Sequence, residues 1–243
     1  MSGTGEPRFG APHHHHDRTD STNLRARELA EAGAASGTVV TAAEQSSGRG
    51  RAGRVWSAPA GAALLYSAIL RPLDLSHLML PLAVPIGVCE ACESVAPVEC
   101  MLKWPNDVWL DERKLAGVLI EARAPDWAVI GVGVNLSIAP ESFPPDLRWP
   151  ATSLGHGISP ETMRPALDAA LGRWVAAEPE LVHAEFSRRD ALRGREIDWE
   201  GGPAGDGRSG TGEGIDERGN LLVRGAGGEL SALGSGEVSL RVR

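Results

Sequence analysis

Residues 99–135 read ECMLKWPNDVWLDERKLAGVLIEARAPDWAVIGVGVN, and this stretch decides the fold. It contains four short apolar runs, at residues 99–104, 108–110, 114–122 and 127–135. Pro105-Asn106-Asp107 and Asp111-Glu112 interrupt the runs with residues that favour tight turns. Because short strands joined by tight turns pair with their sequence neighbours, the pattern predicts an antiparallel meander.

The sequence on either side adds helices and further strands to this sheet. Helices are predicted at residues 24–32 and 75–95, from Ser159-Pro160-Glu161 onward, and from Pro179 toward Arg189; strands are predicted at 37–43 and 61–70. Pro81 and Pro85 are expected to kink the helix at 75–95 or to split it in two. The order of elements predicts an α+β fold with helices over a mixed sheet.

Two terminal segments differ in composition from this central part. In residues 201–214 glycine is nearly every second residue, and short strand-like runs lie around it at 194–198, 221–224, 229–233 and 238–242, which predicts a small C-terminal β-barrel. Residues 1–20 are polar and include four consecutive histidines, which favours a flexible tail or leader over a metal site. The predicted division is a tail at 1–20, a main domain at 21–190 and a small β domain at 191–243.

Composition excludes several classes of protein. With 42% apolar and 23% charged residues, the chain can bury a sizeable core. A net charge of -8 argues against a general nucleic-acid binder, because phosphate neutralisation needs a surplus of Lys and Arg. The N-terminus has no apolar signal region, and the longest apolar stretch, residues 78–89, is shorter than the roughly 18 residues of a membrane span. We therefore expect a soluble cytoplasmic protein that contacts neither DNA nor membrane.

The three cysteines, Cys89, Cys92 and Cys100, are odd in number and lie in an apolar region. Such cysteines are typical of reduced thiols in a protein core rather than of a disulfide framework. Cys89 and Cys92 have the spacing of a redox or zinc pair, but the sequence has no second pair to complete a zinc site. We expect buried thiols.

Residues 48–54, GRGRAGR, predict an anion-binding loop. Glycine lets backbone N–H groups approach a ligand closely, and guanidinium groups donate charge-assisted hydrogen bonds to phosphate or carboxylate oxygens. The segment is neither a Walker loop nor a dinucleotide fingerprint, since the required lysine and glycine spacings are missing. The alternative is a solvated surface loop rich in arginine.

Of the 24 basic residues only two are lysines, Lys103 and Lys114, and both lie in the meander. Lysine presents a compact point charge where arginine presents a planar fork, so this placement indicates a site that needs the point charge. A hairpin would bring the two lysines near Asp107, a set that suits phosphoryl or acyl-phosphate chemistry with Mg²⁺ held by Asp or Asn oxygens. Gly131 and Gly133, two residues apart on the last strand, would let a ligand lie against the backbone.

Together, Ser21-Thr22-Asn23, Glu44-Gln45, GRGRAGRVW, KWPND, KLAG and GVGVN resemble the motifs of biotin protein ligases, in the same order. The resemblance covers residues 21–243, and GRGRAGR with KWPND is its most specific part. It implies a catalytic domain related to class II aminoacyl-tRNA synthetases, followed by a small SH3-like barrel. It further implies two-step acyl transfer: ATP and Mg²⁺ convert biotin to biotinyl-5'-AMP, and biotin then passes to a lysine of a biotin carboxyl carrier protein domain.

The resemblance also implies roles for individual residues. Biotin is expected to contact Ser21, Thr22, Asn23, Gln45, Arg49, Gly50, Arg51, Lys114 and Gly117. ATP or the adenylate is expected to contact Arg49, Arg51, Arg54, Trp56, Lys103, Asn106 and Asn135. Lys114, Lys103 and Arg51 are the expected catalytic residues, and Asp107 the candidate metal ligand. Trp56 and Trp104 either stack on ligand rings or belong to the core.

Two expectations follow from differences between this sequence and members of the family. Only some 20 residues precede Ser21, so a ligase without the N-terminal DNA-binding domain is expected, as a monomer or weak homodimer. Where family members carry an apolar strand, this sequence has HHHHDRTD at 13–20, so the first strand is expected to be missing or replaced.

Two alternative functions remain open at this point. One is a lipoate ligase on the same scaffold, against which GRGRAGR argues. The other is a biotin-responsive DNA regulator, which would need a recognition helix.

Overall fold

A computed structural model describes residues 8–145, 147, 149–155, 157–200, 208–235 and 239–242. Its helices are α1 (Thr22–Glu31), α2 (Leu80–Val95), α3 (Pro160–Val175) and α4 (Pro179–Arg189). The strands are β1 (His13–Thr19), β2 (Val39–Gln45), β3 (Ala63–Leu70), β4 (Met101–Lys103), β5 (Asp107–Leu110), β6 (Arg113–Arg123), β7 (Trp127–Asn135), β8 (Glu196–Glu200), β9 (Arg208–Ile215), β10 (Leu221–Gly225), β11 (Leu230–Leu233) and β12 (Ser239–Val242). Short 3-10 turns lie at Arg51–Gly53, Leu75–Met79 and Pro140–Ser142.

The first seven strands form one sheet in the order β1-β2-β3-β7-β6-β5-β4. Strands β4 to β7 are neighbours in sequence and in space, and their pairings are all antiparallel, which confirms the predicted meander. Asp111 and Glu112 join β5 to β6 with φ angles of 49° and 60°, the positive values that a tight hairpin turn needs. β1 pairs parallel to β2, so the sheet is mixed, as predicted.

Helices cover both faces of this sheet. α2, α3 and α4 pack together over one face and enclose the main core, which includes Leu64, Ile86 and Leu171. α1 lies on the opposite face, where Ala26 and Ala30 pack on apolar side chains of the sheet. The α+β class predicted from the order of elements is confirmed.

The segment at 75–95 is split once, between the 3-10 turn Leu75–Met79 and α2. Pro81 lies in the first turn of α2, where backbone N–H groups have no hydrogen-bond partner within the helix, so a proline there removes no helical hydrogen bond. Pro85 lies inside α2 and does not end the helix. By length and composition Leu75–Val95 could cross a membrane, but 67% of its most apolar window is buried inside the protein. Because α2 packs against α3 and α4, it is the core helix of this fold.

The expectation of a flexible tail at 1–20 was wrong for His13–Thr19, which form the edge strand β1. His13 Nε2 and His15 Nδ1 lie 2.8 and 2.9 Å from Oγ1 of Thr41 on β2. The usual first strand is therefore replaced by a polar one rather than missing. An edge strand needs a partner on one side only and has largely solvated side chains, so apolar patterning gave no signal here. Residues 1–7 lie outside the described residues.

Strands β8 to β12 form a separate five-stranded antiparallel sheet in the order β11-β10-β9-β8-β12. This confirms the predicted small C-terminal β domain, and β9 overlaps the glycine-rich segment at 201–214. Its glycines allow close packing, because a Cβ on Gly210 or Gly212 would lie 2.4 or 2.3 Å from a backbone oxygen. Residues 201–207 of the glycine-rich segment and residue 238 of the expected last strand lie outside the described residues.

Cys89, Cys92 and Cys100 are free and buried, which confirms the predicted core thiols. They lie beside the ion pair in which Arg189 donates to both carboxylate oxygens of Glu93. The pKa of the Cys89 thiol is raised mainly by burial, and the pKa of the Cys92 thiol is raised mainly by its contact with Cys100. Within the described residues no group of three or more His, Cys, Asp or Glu side chains is arranged to hold a metal.

Candidate active site

A cavity of about 340 Å³ opens between the start of α1, the segment after β2, and strands β5, β6 and β7. Every site residue predicted from the sequence lines it except Lys103. They are Ser21, Thr22, Asn23, Gln45, Arg49, Gly50, Arg51, Arg54, Trp56, Asn106, Asp107, Lys114, Gly117 and Asn135. Residues more than 100 positions apart in the chain therefore face one space.

One end of the cavity has neutral polar side chains. Thr22 donates from both its backbone N and its Oγ1 to Oε1 of Gln45, over 2.7 and 3.1 Å. Ser67 Oγ lies 2.7 Å from Asn23 Oδ1 and 2.9 Å from Thr22 Oγ1. Thr22 occupies Oε1 of Gln45. The amide nitrogen of Gln45 therefore lies on the side of the amide group that faces away from Thr22. This end suits a neutral ligand that both donates and accepts hydrogen bonds.

Glycines on β6 and β7 make the space that these side chains occupy. A Cβ on Gly131 would lie 1.9 Å from Asn23 Oδ1, and a Cβ on Gly133 would lie 2.4 Å from the Trp56 ring. Gly117 meets Asp107 in register across β5 and β6, and a Cβ there would lie 3.3 Å from Lys114 Nζ. The ligand-facing glycines inferred from GVGVN thus accommodate side chains of the cavity wall.

The other end of the cavity is charged. Lys114 Nζ lies 2.6 Å from Asp107 Oδ1 and 5.6 Å from the centre of the Trp56 ring. The Asp107 side chain is 9% exposed and that of Lys114 is 26% exposed, so the amine is the more accessible partner. A partly exposed ammonium beside an aromatic face can bind an anion that enters the cavity.

Lys103 is behind this charged end and not on the cavity wall. Its side chain is 5% exposed, and Nζ lies 3.9 Å from Asp107 Oδ2 and 4.9 Å from the centre of the Trp149 ring. β4 and β5 pair Lys103 with Asp107 directly across the strands, which explains why the two side chains meet. Lys103 does not line the cavity, and its expected contact with ATP stays a prediction.

The loop GRGRAGR forms a compact turn over the cavity. Gly50 N donates to Arg54 O over 2.7 Å, and Ala52 and Gly53 have φ angles of 53° and 72°. Arg49 donates to Glu121 on β6, and Arg51 donates to the backbone oxygen of Ser235 in the C-terminal domain. Burial, followed by the neighbouring Arg54, lowers the pKa of Arg51. The loop therefore carries its cations between the sheet and the C-terminal domain.

Two other predicted residues, Asn106 and Asn135, hold the cavity wall together. Asn106 donates to Val118 O over 2.8 Å, and Asn135 donates to Thr152 O over 3.0 Å. Trp56 lines the cavity, whereas Trp104 is 1% exposed and donates from Nε1 to Gly219 O over 2.9 Å. Trp104 is thus a core residue that contacts the C-terminal domain. Of the two interpretations offered for it from the sequence, the structure agrees with the core residue.

The metal expectation concerns Mg²⁺ at Asp107. In the part of the chain that is described, no group of three or more His, Cys, Asp or Glu side chains could hold a metal ion. A single carboxylate next to Asn106 does fit Mg²⁺ of the kind that one protein carboxylate and substrate phosphates hold together. The residues therefore suit an ion that enters with a nucleotide rather than one caged by the protein.

The sequence-based interpretation missed two polar networks at this site. Glu121 on β6 accepts hydrogen bonds from both Asn23 and Arg49. Tyr66, which also lines the cavity, donates to Asp168 of α3 over 2.8 Å, and Arg164 pairs with the same carboxylate. Burial and Asp168 raise the pKa of Tyr66. The sequence feature that could have indicated a role for Glu121 is that it is the one acidic residue in the apolar run at 114–122.

Two family models match the chain. The Biotin/lipoate A/B protein ligase family matches residues 16–135, and the Biotin protein ligase C terminal domain matches residues 201–241. The first match contains the cavity-lining motifs from Ser21 to Asn135. The second covers most of the small C-terminal sheet.

Curated relatives include the biotin--[acetyl-CoA-carboxylase] ligase of Mycobacterium tuberculosis, 36% identical over 91% of this chain and 86% of that protein. The enzyme of the same name from Paracoccus denitrificans is 35% identical over 87% of this chain and 93% of that protein. The bifunctional ligase/repressor BirA of Bacillus subtilis is 38% identical over 58% of this chain, which spans only 46% of that protein.

Solved structures agree with these relatives. The biotin protein ligase of Aquifex aeolicus in complex with biotin and ATP superposes with a TM-score of 0.81 and 27% identity, over 96% of this chain and 100% of that one. The biotin protein ligase of Leishmania major in complex with biotinyl-5-AMP gives a TM-score of 0.66 at 27% identity, over 93% and 99% of the two chains.

Proposed function

The chain belongs to the biotin protein ligase family, and from this premise we propose that it converts biotin and ATP to biotinyl-5'-AMP and transfers biotin to a carrier lysine. The carrier is a biotin carboxyl carrier protein domain of a biotin-dependent carboxylase. The relatives named as acetyl-CoA carboxylase ligases support this proposal. Three free, buried cysteines fit a reducing compartment, so we place the reaction in the cytoplasm.

The observation that carries the proposal is the division of one cavity into a neutral polar end and a cationic end. Biotin has a neutral ureido ring at one end and a carboxylate at the other. Thr22, Asn23 and Gln45 would meet the ring, and Lys114, Arg49 and Arg51 would hold the carboxylate and the α-phosphate. Ser21, Gly50 and Gly117 complete the biotin side, and Arg54, Trp56, Asn106 and Asn135 complete the adenylate side.

Activation begins when an oxygen of the biotin carboxylate attacks the α-phosphorus of ATP. The new bond forms as the bond from the α-phosphorus to the bridging oxygen breaks, and pyrophosphate leaves. Negative charge builds on the α-phosphate oxygens, where the Lys114 ammonium is placed to stabilise it. Mg²⁺ would enter with the phosphates beside Asp107 and neutralise part of their charge.

Transfer begins when the ε-amine of the carrier lysine attacks the acyl carbon of biotinyl-5'-AMP. An amide bond forms, the bond from the acyl carbon to the phosphate oxygen breaks, and AMP leaves as the amine loses a proton to the medium. The mixed anhydride is sensitive to water, so the GRGRAGR loop over the cavity would act as its lid.

Lys103 has a positioning role in this proposal. It is buried against Trp149 and Asp107, and Asp107 in turn contacts Lys114. Lys103 would therefore act through Asp107, which would explain a lysine at a position that does not line the cavity.

The test compares labelled biotin with labelled lipoate, because the family model covers both kinds of ligase. The protein is incubated with either acid, Mg-ATP and a carrier domain. We expect covalent label only from biotin, together with biotin-dependent exchange of pyrophosphate into ATP. Label from lipoate would assign the protein to the other branch, and exchange with neither acid would disprove the proposed activity.

A further inference from the structure

One carboxylate joins Asn23 to the GRGRAGR loop at the neutral end of the cavity. Oε1 and Oε2 of Glu121 lie 2.9 and 3.2 Å from Nη1 of Arg49, and Oε2 also accepts from Asn23 Nδ2 over 3.0 Å. Arg49 belongs to the GRGRAGR loop and Asn23 to α1, so Glu121 is where a loop and a helix meet on the sheet.

The amide of Asn23 is held from two sides. Its Nδ2 donates to Leu119 O as well as to Glu121, and its Oδ1 accepts from Ser67 Oγ. Asn23 is 5% exposed, and Gly131 leaves space for it where any Cβ would collide. Glu121 thus fixes the direction of the Asn23 side chain at the neutral end of the cavity.

The contact with Arg49 is made through Nη1 alone. A guanidinium has further N–H groups on Nη2 and Nε, which share the plane of the fork. Arg49 can therefore keep Nη1 on Glu121 while its other donors meet an anionic ligand. The pairing also neutralises a carboxylate that would otherwise repel such a ligand.

We propose that Glu121 is a positioning residue for biotin: it sets Asn23 at the ureido end and, through Arg49, holds the GRGRAGR loop in place before the ligand binds. This inference rests on the proposed function. Preorganisation of both contacts increases the fraction of enzyme that is ready to bind, so its loss weakens biotin binding without changing the chemical step.

Two variants test this role. Glu121→Gln keeps an acceptor for Asn23 but removes the charge that holds Arg49, and Glu121→Asp keeps the charge but shortens its reach by one methylene. For both we expect the KM for biotin to rise about tenfold, the size of one charge-assisted hydrogen bond. The kcat at saturating biotin should stay within about threefold, because the reacting groups are unchanged.

A second readout needs no activity. Trypsin cuts after arginine, so cleavage of the ligand-free protein at Arg49, Arg51 and Arg54 reports how firmly the loop is held. We expect at least about fivefold faster cleavage there in both variants, because an unanchored loop opens more often. Glu44→Gln is the matched control, since it removes the same charge from an exposed pair with Arg18 on the same sheet.

Unchanged KM and unchanged cleavage in Glu121→Gln would overturn the proposal. So would equal falls in kcat and in melting temperature with no change in KM, because that pattern describes a fold-stabilising residue. A normal KM in Glu121→Asp alone would mean that charge matters and geometry does not, which also contradicts positioning. If the wild-type protein showed no biotin-dependent reaction, the proposed function would fail, whereas the cleavage result would still stand.

Discussion

Lys114 Nζ lies 2.6 Å from Asp107 Oδ1, and Gly117 leaves open the space beside it. The broad fork of an arginine would have to displace either Asp107 or the ligand from this position. We expect Lys114→Arg to slow biotin-dependent pyrophosphate exchange by at least about a hundredfold, the scale of losing one preorganised contact to developing charge. The control is Arg113→Lys, at the adjacent exposed residue. Near-normal pyrophosphate exchange in Lys114→Arg would show that Lys114 is not part of the active site.

Gly131 gives a second prediction at this scale. A methyl group added there would lie 1.9 Å from Asn23 Oδ1, so Gly131→Ala must move Asn23 out of its hydrogen bonds. We expect a loss of about 1 to 3 kcal/mol in unfolding free energy, as for other overpacked sites, and a higher KM for biotin. Gly87→Ala in α2 is the control, because its nearest contact is an ordinary 3.5 Å. Equal melting temperatures for the two variants would contradict the crowding argument.

At the element scale, the GRGRAGR loop joins parts of the protein that are far apart in sequence. Arg49 contacts β6 and Arg51 contacts the backbone of Ser235, so the loop has an anchor on each side of the cavity. We expect Arg51→Gly to release biotinyl-5'-AMP into solution faster than wild type while still making it, because the lid loses an anchor and a phosphate contact. Free adenylate is measured by chromatography, and Arg123→Gly at the exposed end of β6 is the control. Equal release by both variants would mean that the loop is not a lid.

At the scale of the whole molecule, the placement of its two lysines makes the enzyme a poor target of its own product. Lys103 is 5% exposed and Lys114 is paired with Asp107 inside the cavity, and the chain contains no other lysine. A leaked acyl adenylate acylates accessible amines, so Arg51→Gly should label added bystander proteins heavily and its own lysines weakly. Peptide mass mapping after incubation with biotin and ATP measures both. Heavy label on either lysine in active enzyme would show that its amine is accessible in solution.

Interactions that are local in the chain could be predicted from the sequence. The turns at residues 105–107 and 111–112 set the meander, and the meander brings Lys114 to Asp107. Glycine spacing indicated where backbone and ligand-facing groups approach closely. The GRGRAGR loop and the set of Lys103, Asp107 and Lys114 could be inferred from their own chemistry, whereas the other cavity-lining residues were expected from the resemblance to biotin protein ligases. Their roles in catalysis stay predictions for the experiments above.

Contacts between distant segments were decided by the tertiary structure alone. β1 has no apolar pattern, and it is a strand only because β2 offers it an edge and Thr41 a partner for two histidines. Lys103 is buried because Trp149, 46 positions further on, covers it. Glu121 contacts both Asn23 and Arg49 because α1 and the GRGRAGR loop converge on β6. A sequence pattern records what each residue prefers, whereas these outcomes depend on which neighbours folding supplies, and those neighbours lie too far along the chain for periodicity or spacing to reveal.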